Sequence, residues 1–361
     1  MRAIHALTRA GTALLIAAAG AASANNGMEN VGYGARSVGM GGIGVGYGAD
    51  TTVMNTNPAL LGVIDTARAD FGLEMMFPGF SFRNPVNDTD GKSPIYVIPS
   101  AGFAFRPNSR WHLGIGMFNE GGTGTDYGVL NVDNSLLGPA TCGGSPICGI
   151  EYFSQFGYMV VTPTVAYRLG DEWTLGLSPQ IGYGTVRMKM PFGQPGLGFF
   201  AADMDGDDVN VRAKLGLAYD RGGEYGFGFA YTTAADLDLT GDVVLTDPSG
   251  TMPVMRSRMT MAIGLEWQTT DAWTLRFGYN RTSNPIPPEG LIAIMNPIVE
   301  DHLTFGVGFT AQKHFEFNVG MVVGLNNEVG VGATHKFAPD MVNSTTGMKF
   351  VSMLMQLSYR W

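Results

Sequence analysis

Five basic residues occupy alternating positions of strand-like segments, where their side chains would share the interior face. They are Arg212, Lys214, Arg256, Arg258 and Arg276. A cation in an otherwise apolar interior can anchor a ligand carboxylate, which is prohibitively unfavourable to bury without a partner. Each of the five can instead pair with an inward-facing acid such as Asp220 or Glu266, and for any single one this structural role is the commoner outcome.

Other residues with catalytic or ligating chemistry are sparse. Gly39 to Gly44 match the pattern G-x-G-x-x-G, but no strand precedes them and no amphipathic helix follows, so nucleotide binding is disfavoured. Asp203 to Asp208 resemble the start of a calcium loop, yet the glycine and final acid of an EF-hand are missing. A solvated acidic loop is favoured there, with a divalent or lipopolysaccharide-bridging site as the alternative. His112 and His302 share the inward face without a serine or acid spaced to complete a triad. We therefore expect no enzyme, cofactor or metal.

The chain has two cysteines, Cys142 and Cys148, between segments rich in glycine and proline. An even number of cysteines after a secretion signal favours a disulfide in an oxidising compartment. Two thiols without a nearby histidine make a metal site improbable.

The first 24 residues have the pattern of a secretory signal. Arg2 and Arg9 supply the positive charge, an apolar run follows, and Ala22 to Ala24 form a small-residue cleavage site. The apolar run is shorter than the roughly 20 residues of a membrane helix, which disfavours a permanent anchor. We expect residues 1–24 to be removed.

Residues 63–361 have the pattern of a transmembrane antiparallel β-barrel. Apolar residues make up 45% of the sequence, charged residues 15%, and 52 residues are glycine. Segments such as Trp173 to Tyr183 alternate apolar with small or polar residues, as strands with two different faces do. The net charge of −9 excludes a basic nucleic-acid-binding face. A soluble β-sandwich would alternate too, but aromatic residues at strand ends favour a membrane interface: Trp111, Tyr167, Trp173, Tyr183, Tyr219, Trp267, Trp273 and Tyr279.

The connections between strands alternate between short and long. Short periplasmic turns and long outer loops are typical of outer-membrane barrels, and the hairpins add up to about twelve strands with both termini in the periplasm. The last segment, Met348 to Trp361, keeps the alternation to its terminal aromatic residue. This pattern places the protein in the outer membrane of a Gram-negative cell, in contact with lipid and lipopolysaccharide.

Three of the predicted outer loops are unusually apolar: Leu136 to Ile150, Met188 to Ala202 and Gly290 to Val299. Exposed apolar patches mark binding surfaces, so we predict a capture site for hydrophobic ligands. The alternative is that the loops pack on one another and cover the barrel mouth, and both roles are compatible. The predicted capture residues are Phe192, Leu197, Phe199, Phe200, Leu291, Ile292 and Ile294.

Residues 25–62, the plug segment, combine dense glycine with apolar side chains. Glycine disfavours a stable helix, while the apolar residues distinguish the segment from a flexible linker. A compact, irregular segment of this kind needs surrounding walls, so we predict that it plugs the barrel. The residues expected to form the gate are Gly41, Gly44, Asn55, Asn57, Pro58 and Ala59.

The whole mature chain resembles the FadL-type outer-membrane transporters of long-chain fatty acids and other hydrophobic compounds. The resemblance rests on the glycine-rich plug segment with Asn57-Pro58-Ala59, on the stretch Phe118 to Tyr127, and on Trp273 to Tyr279 followed by Pro285-Ile286-Pro287. It implies a monomeric, plugged, passive transporter with a lateral exit at a kink in the third strand. Here the kink would comprise Asn119, Glu120, Gly121 and Gly122, although these glycines alone would more simply start a loop.

The resemblance implies fourteen strands, two more than the hairpin count, and the missing pair would lie between Tyr231 and Met259. It makes long-chain fatty acids the leading substrate class and alkanes or aromatic hydrocarbons the close alternative. A general porin or a structural barrel is the alternative of a different class, disfavoured by the apolar loops and the plug.

Overall fold

The computed structural model describes residues 13–17, 29–92, 94–133, 145–194, 198–220, 226–234, 260–284, 286–295, 297–312, 314–335 and 338–361. Within them, fourteen strands form one sheet. They are β1 Ala13–Ala17, β2 Arg68–Asn84, β3 Asn87–Asp90, β4 Tyr96–Phe105, β5 Trp111–Asp133, β6 Ile147–Arg168, β7 Trp173–Gln194, β8 Gly198–Asp220, β9 Gly226–Thr232, β10 Thr260–Gln268, β11 Trp273–Thr282, β12 Asp301–Ala311, β13 Phe315–Gly330 and β14 Thr345–Arg360.

The sheet is an antiparallel β-barrel in which neighbours in sequence pair in space. Its order is β1, then β10 to β14, then β2 and β4 to β9, with β3 added to β2. The first and last strands of the barrel meet because β2 pairs with β14 along its length, from Arg68 opposite Arg360 to Arg83 opposite Thr345. Apart from β1 and β3, the described residues contain twelve strands. The number of strands in the whole barrel, twelve or fourteen, stays a prediction.

The predictions about strand number and about removal of the signal concern the edges of this sheet next to β9 and β10. Residues 235–259, where the resemblance expects another strand pair, lie outside the described residues. Strand β1 lies in the predicted signal segment and pairs with β10, Ala13 opposite Glu266. Removal of the signal stays a prediction.

The predicted lipid face is exposed and the predicted lumen face is buried. In β14, Val351 and Leu357 are exposed, whereas Ser352 and Gln356 are buried. Aromatic residues form pairs near the short turns: the ring centroids of Trp111 and Tyr167 are 4.7 Å apart, and those of Trp173 and Tyr219 are 4.9 Å apart. Such a belt is typical of strand ends at a membrane interface.

Several strands run beyond the predicted loop boundaries. Strand β5 continues through the glycines at 121 and 122 to Asp133, so these glycines do not start a loop. The predicted loop Met188 to Ala202 is wrong, because most of it forms the end of the β7–β8 hairpin, with Gln194 opposite Gly198. Backbone hydrogen bonds sustain an antiparallel ladder without apolar side chains, so the strands extend past the alternating pattern.

The described part of the plug segment, residues 29–62, contains only short helices, as its glycine content predicts. These are α1 Gly34–Val38, α2 Val53–Thr56 and a 3-10 helix at Pro58–Val63. Apart from the exposed Val63, their apolar side chains are buried, with Ala35, Met54 and Leu61 fully covered. Among the described residues, no helix has both the length and the apolarity to cross a membrane.

Candidate functional site

The plug segment is attached to the barrel through its backbone near Gly41. The Gly41 N–H donates to Thr304 Oγ1 at 2.8 Å, and Asn280 Nδ2 donates to the Gly41 carbonyl at 2.9 Å. Gly41 has φ +75°, and a Cβ atom there would lie 2.9 Å from the Tyr279 carbonyl oxygen. Only glycine combines this left-handed conformation with so close an approach to the wall. Gly44 instead contacts Thr56 within the segment.

The Asn57-Pro58-Ala59 motif is the second attachment. Asn57 Oδ1 accepts from the Ala59 N–H at 3.1 Å and so caps the 3-10 helix. Its Nδ2 donates to the carbonyls of Val45 at 2.7 Å and Leu217 at 3.1 Å. The fully buried side-chain amide of Asn57 therefore joins two parts of the plug segment to β8. A substitution that removed any of these hydrogen bonds would leave a buried polar group unsatisfied.

Asn55 forms a third attachment, to β7 and β8. Its Oδ1 accepts from Gln180 Nε2 at 2.8 Å, and its carbonyl accepts from Lys214 Nζ at 2.6 Å. The predicted gate residues Asn55 and Asn57 are thus both fully buried and bonded to the wall.

An ionic cluster connects α1 to β10 and β11. Arg36 donates to Glu266 from Nε at 2.8 Å and from Nη2 at 2.6 Å, and Tyr47 donates to Glu266 Oε1 at 2.7 Å. On the other side, Arg276 Nε donates to Glu266 Oε2 at 2.6 Å. Burial lowers the pKa of Arg36, but the hydrogen bonds to Glu266 outweigh it and hold the pKa above its ordinary value. Burial raises the pKa of Tyr47 to about 12, so the hydroxyl remains a donor.

The cluster continues along the barrel wall from β11 through β13 to β2 and returns to the plug segment. Arg276 Nη1 donates to Asn318 Oδ1 at 2.8 Å, and Asn318 Nδ2 donates to Glu316. Glu316 pairs with Arg68 at 3.3 Å. Arg68 in turn pairs with Asp70 at 2.8 Å, whose carboxylate accepts from the Thr51 N–H at 2.7 Å. The charges therefore neutralise one another while holding the segment at both ends.

The predicted carboxylate anchors are engaged in these contacts. Arg276 and Lys214 have the partners given above, and Arg212 pairs with Glu120 and donates from Nε to Gln180 Oε1 at 2.8 Å. The other two candidates, Arg256 and Arg258, lie outside the described residues. Arg212, Lys214 and Arg276 therefore have the structural role that was the alternative to binding a ligand carboxylate.

The predicted kink coincides with a β-bulge in β5. The register with β6 shifts between Asn119 and Gly121, and Asn119 Oδ1 accepts from the Gly121 N–H at 2.9 Å. The plug segment contacts the same place: Asn30 Nδ2 donates to the Asn119 carbonyl at 3.2 Å, and Glu29 forms a bridge with Gly121. The Glu120 carboxylate faces Arg212, as described above.

The wall is interrupted beside this bulge. Strand β4 pairs with β2 from Tyr96 to Ala104 but pairs with β5 only from Ala101 to Phe105. Farther out, Lys92 forms a bridge with Asp126. Within the described residues, the stretch of β4 from Tyr96 to Ser100 therefore has no ladder partner on β5. We call this interruption the β4–β5 window.

A cavity of about 160 Å³ lies behind the window. Its walls come from the start of the plug segment, β2, the first residues of β4, the β5 bulge and β14. The apolar lining includes Val31, Val38, Met76, Phe80, Met348 and Phe350. Two acids, Glu29 and Glu74, line it together with Ser352 and Gln155, and no lysine or arginine of the described residues does. Glu74 was not among the predicted site residues; the alternation of β2 places its side chain on the lumen face, but the cavity itself has no sign in the sequence of β2.

The outer loops cover the cavity from above. Leu291 and Ile294 are fully buried in an apolar cluster with side chains of β2, β5, β6 and β14, and Ile292 packs against it. Leu291 and Ile294 therefore match the alternative in which the loops pack over the barrel mouth, because the interior of the barrel supplies the apolar surface they bury against. Their role in ligand capture stays a prediction. His335 holds this loop by donating from Nε2 to the Leu291 carbonyl at 2.8 Å, and its Nδ1 accepts from the Ala338 N–H. Burial lowers the pKa of His335, in keeping with this neutral ring.

The remaining candidates contribute less to the site. Phe192 lies in β7, and Phe199 and Phe200 lie in β8. Leu197 lies outside the described residues. Cys148 is disulfide-bonded; its expected partner Cys142 lies outside the described residues, so the pairing stays a prediction. Across the described residues, no group of three or more histidine, cysteine or acidic side chains could hold a metal ion.

These features define a class of protein, the outer-membrane barrels that transport hydrophobic compounds. The features are a segment that fills the lumen, an apolar cavity and an interrupted wall. The chain belongs to the outer membrane protein transport protein family (OMPP1/FadL/TodX), whose model matches residues 15–258. It is an outer-membrane protein of the Gram-negative type. No curated protein sequence matches the chain.

Solved structures of similar fold agree with this assignment. The chain resembles the toluene transporter TodX of Pseudomonas putida, with 16% identity and a TM-score of 0.69 over 93% of this chain and 100% of that one. A FadL homologue of Pseudomonas aeruginosa gives 11% identity and a TM-score of 0.68, covering 92% and 99%. The toluene transporter TbuX of Ralstonia pickettii gives 18% identity and 0.59, also covering 92% and 99%. At such identities the likeness concerns the fold.

Proposed function

We propose that the protein takes up small uncharged hydrophobic molecules, with aromatic hydrocarbons favoured over long-chain fatty acids. The observation that carries this proposal is the composition of the cavity. Its lining has an apolar majority and two acids, and its described residues include no cation. A neutral ligand needs no partner for a buried charge, whereas a carboxylate does.

The charges of the lining disfavour a fatty acid. Two unit charges of like sign 5 Å apart repel by roughly 3 kcal/mol at an effective dielectric constant of 20. An ionised Glu29 or Glu74 would impose such a cost on a ligand carboxylate. The three described anchor candidates cannot offset it without breaking contacts to the plug segment or the wall, since each already has partners there.

The size of the cavity also favours a compact ligand. An apolar protein cavity of about 150 Å³ is known to bind benzene. The 160 Å³ found here therefore suits one substituted aromatic ring, while a long acyl chain needs several times that space. Two of the similar solved structures are toluene transporters, which supports the same ligand class.

The proposed route runs from the mouth through the cavity to the β4–β5 window. Movement of the plug segment would open it, because Asn30 contacts the window edge at Asn119 and the same segment lines the cavity. Lateral release into the membrane suits an apolar molecule, which then never crosses the aqueous space alone. A general porin is disfavoured, since the plug segment occupies the lumen.

Uptake by cells that express the protein tests this proposal. Radiolabelled toluene and a radiolabelled long-chain fatty acid are compared in wild type, Gly124→Phe and Gly332→Phe. A side chain at Gly124 would meet the Tyr96 ring beside the window, while a Cβ atom at Gly332 has no neighbour within 4 Å. We expect toluene uptake to fall several-fold in Gly124→Phe alone and fatty-acid uptake to stay at background. Fatty-acid uptake above that of toluene in wild type would overturn the proposed ligand class.

A further inference from the structure

Glu74 is a buried acid, and one of its two carboxyl oxygens has no hydrogen-bond partner in the part of the chain that the structure describes. It lies on β2, is 6% exposed and lines the cavity. Ser352 Oγ, on the neighbouring strand β14, donates a hydrogen bond to Glu74 Oε1. Glu74 Oε2 has no hydrogen-bond or ion-pair partner among the described residues. The residue is buried, but Oε2 is not among the fully buried atoms, so it reaches the space of the cavity as an unpaired acceptor that a ligand can approach.

The backbone fixes the position of this carboxyl group. Glu74 is opposite Ile98 of β4 and opposite Leu354 of β14, within two continuous ladders. Its place in the lining is shared with Met76 and Phe80 of the same strand and with Phe350 of β14. The carboxyl group therefore projects from a rigid sheet into an apolar space. Ligand sites of this kind use a small number of fixed polar groups to orient the ligand.

Glu29, the second acid of the lining, is a weaker candidate for this role. It belongs to the plug segment, forms a bridge with Gly121 at the window edge and has a further interaction of its own. Its position depends on the plug segment, which the proposed route requires to move. Glu74 keeps its position whether or not the segment moves.

We propose that Glu74 selects ligands that carry a hydroxyl donor, so that the preferred cargo is a phenol or a similar aromatic alcohol. The ring would pack among Phe80, Phe350 and Met76 while its O–H donates to Glu74 Oε2. This inference rests on the proposed uptake of small uncharged compounds and narrows its ligand class. An anionic ligand is repelled, and an ammonium ligand must lose far more hydration than a hydroxyl does.

Binding of an isosteric ligand pair tests the inference. p-Cresol and p-xylene differ by a hydroxyl in place of a methyl group. Each is used to displace radiolabelled toluene from the purified full-length protein in detergent, with free concentrations corrected for partition into micelles. We expect p-cresol to displace toluene at roughly tenfold lower free concentration than p-xylene, as a net hydrogen bond to a carboxyl group provides.

Variants assign the preference to Glu74. Glu74→Met removes the acceptor at similar length, and we expect the ratio of p-xylene to p-cresol concentrations needed for displacement to fall from about ten to about one. Ser352→Ala frees Glu74 Oε1 as well, so the preference should persist. Glu172→Gln removes an exposed acid at a short turn and is the matched control, with no expected change.

The outcomes separate the two proposals. Equal displacement by p-cresol and p-xylene in wild type, or a preference that survives Glu74→Met, overturns the role of Glu74 and leaves hydrocarbon uptake standing. Failure of toluene itself to bind overturns both. The wild-type comparison stands alone if Glu74→Met does not assemble, which heat-modifiable gel migration of the barrel would reveal.

Discussion

Replacing Arg36 by methionine should loosen the plug segment without unfolding the barrel. Arg36 supplies two of the hydrogen bonds that Glu266 accepts, at 2.6 and 2.8 Å. Methionine keeps most of the side-chain length and removes the charge. Glu266 retains Arg276 of the barrel wall and Tyr47 of the plug segment, so its carboxylate stays partnered.

The expected cost follows from these contacts. Hydrogen bonds to charged groups contribute about 1.5–3 kcal/mol each, and removing one member of a buried ion pair costs about 3–5 kcal/mol. The remaining partners of Glu266 and the 18% exposure of the Arg36 side chain lower the cost to about 2–3 kcal/mol. That free energy corresponds to a roughly 30- to 160-fold change in the ratio of attached to released plug segment.

Native-state hydrogen exchange measures this ratio directly. The amides of Gly39 and Gly42, which donate to Ala35 and Ser37 within α1 and its following turn, should exchange faster by that factor. Amides of β12 and β13 should keep their wild-type rates. Arg281→Met is the matched control, because its ion pair with Asp301 is exposed on the outside and contributes little. Unchanged exchange at Gly39 and Gly42 in a folded Arg36→Met protein would refute the assigned role of the ionic cluster.

Three further predictions concern single positions. Gly41→Ala should weaken attachment of the plug segment by at least about 1 kcal/mol, because φ is +75° and the wall is close. Gly332→Ala is the control, since a Cβ atom there lies in open space and should change nothing. Limited proteolysis of the plug segment compares the two variants. Asn57→Ala leaves backbone groups of the plug segment and β8 unsatisfied and should cost about 1–3 kcal/mol in the same assay, and wild-type protection would contradict it. Burial raises the pKa of Asp340, which accepts from the Tyr152 hydroxyl at 2.5 Å, so the folded loop binds its proton more tightly than the unfolded loop does. Its stability should therefore fall as the pH rises from about 4 through the raised pKa, and Asp340→Asn should remove that dependence of loop exchange on pH.

The sequence predicted the barrel well because each strand carries its own signal. The alternation of apolar and polar residues in segments such as Trp173 to Tyr183 predicts which face of the strand contacts lipid. This prediction needs no information from distant residues. The bulge at Asn119 to Gly122 came from the family resemblance, since the glycines alone favoured a loop. The length of the β7–β8 hairpin was missed, because its outer part is held by backbone pairing and leaves no side-chain pattern.

The roles of individual polar residues were harder to predict. Glu266 and Arg276 face each other across one hairpin, so their pairing was within reach of the register. The Arg68 pair with Glu316 joins strands far apart in sequence, which only closure of the barrel brings together. The cavity is likewise assembled from the plug segment and from strands at both ends of the chain, and the sequence showed no local sign of Glu74 lying within it.

The most direct test of the central claim is a binding competition between an aromatic hydrocarbon and a long-chain fatty acid. Purified protein is loaded with radiolabelled toluene in detergent and titrated with the fatty acid, with its alcohol of equal chain length as the uncharged comparison. The cavity described here predicts saturable toluene binding that the fatty acid displaces poorly. Stoichiometric fatty-acid binding that displaces toluene, and that is lost in Arg256→Ala or Arg258→Ala, would contradict it and would restore a cationic anchor to the pathway.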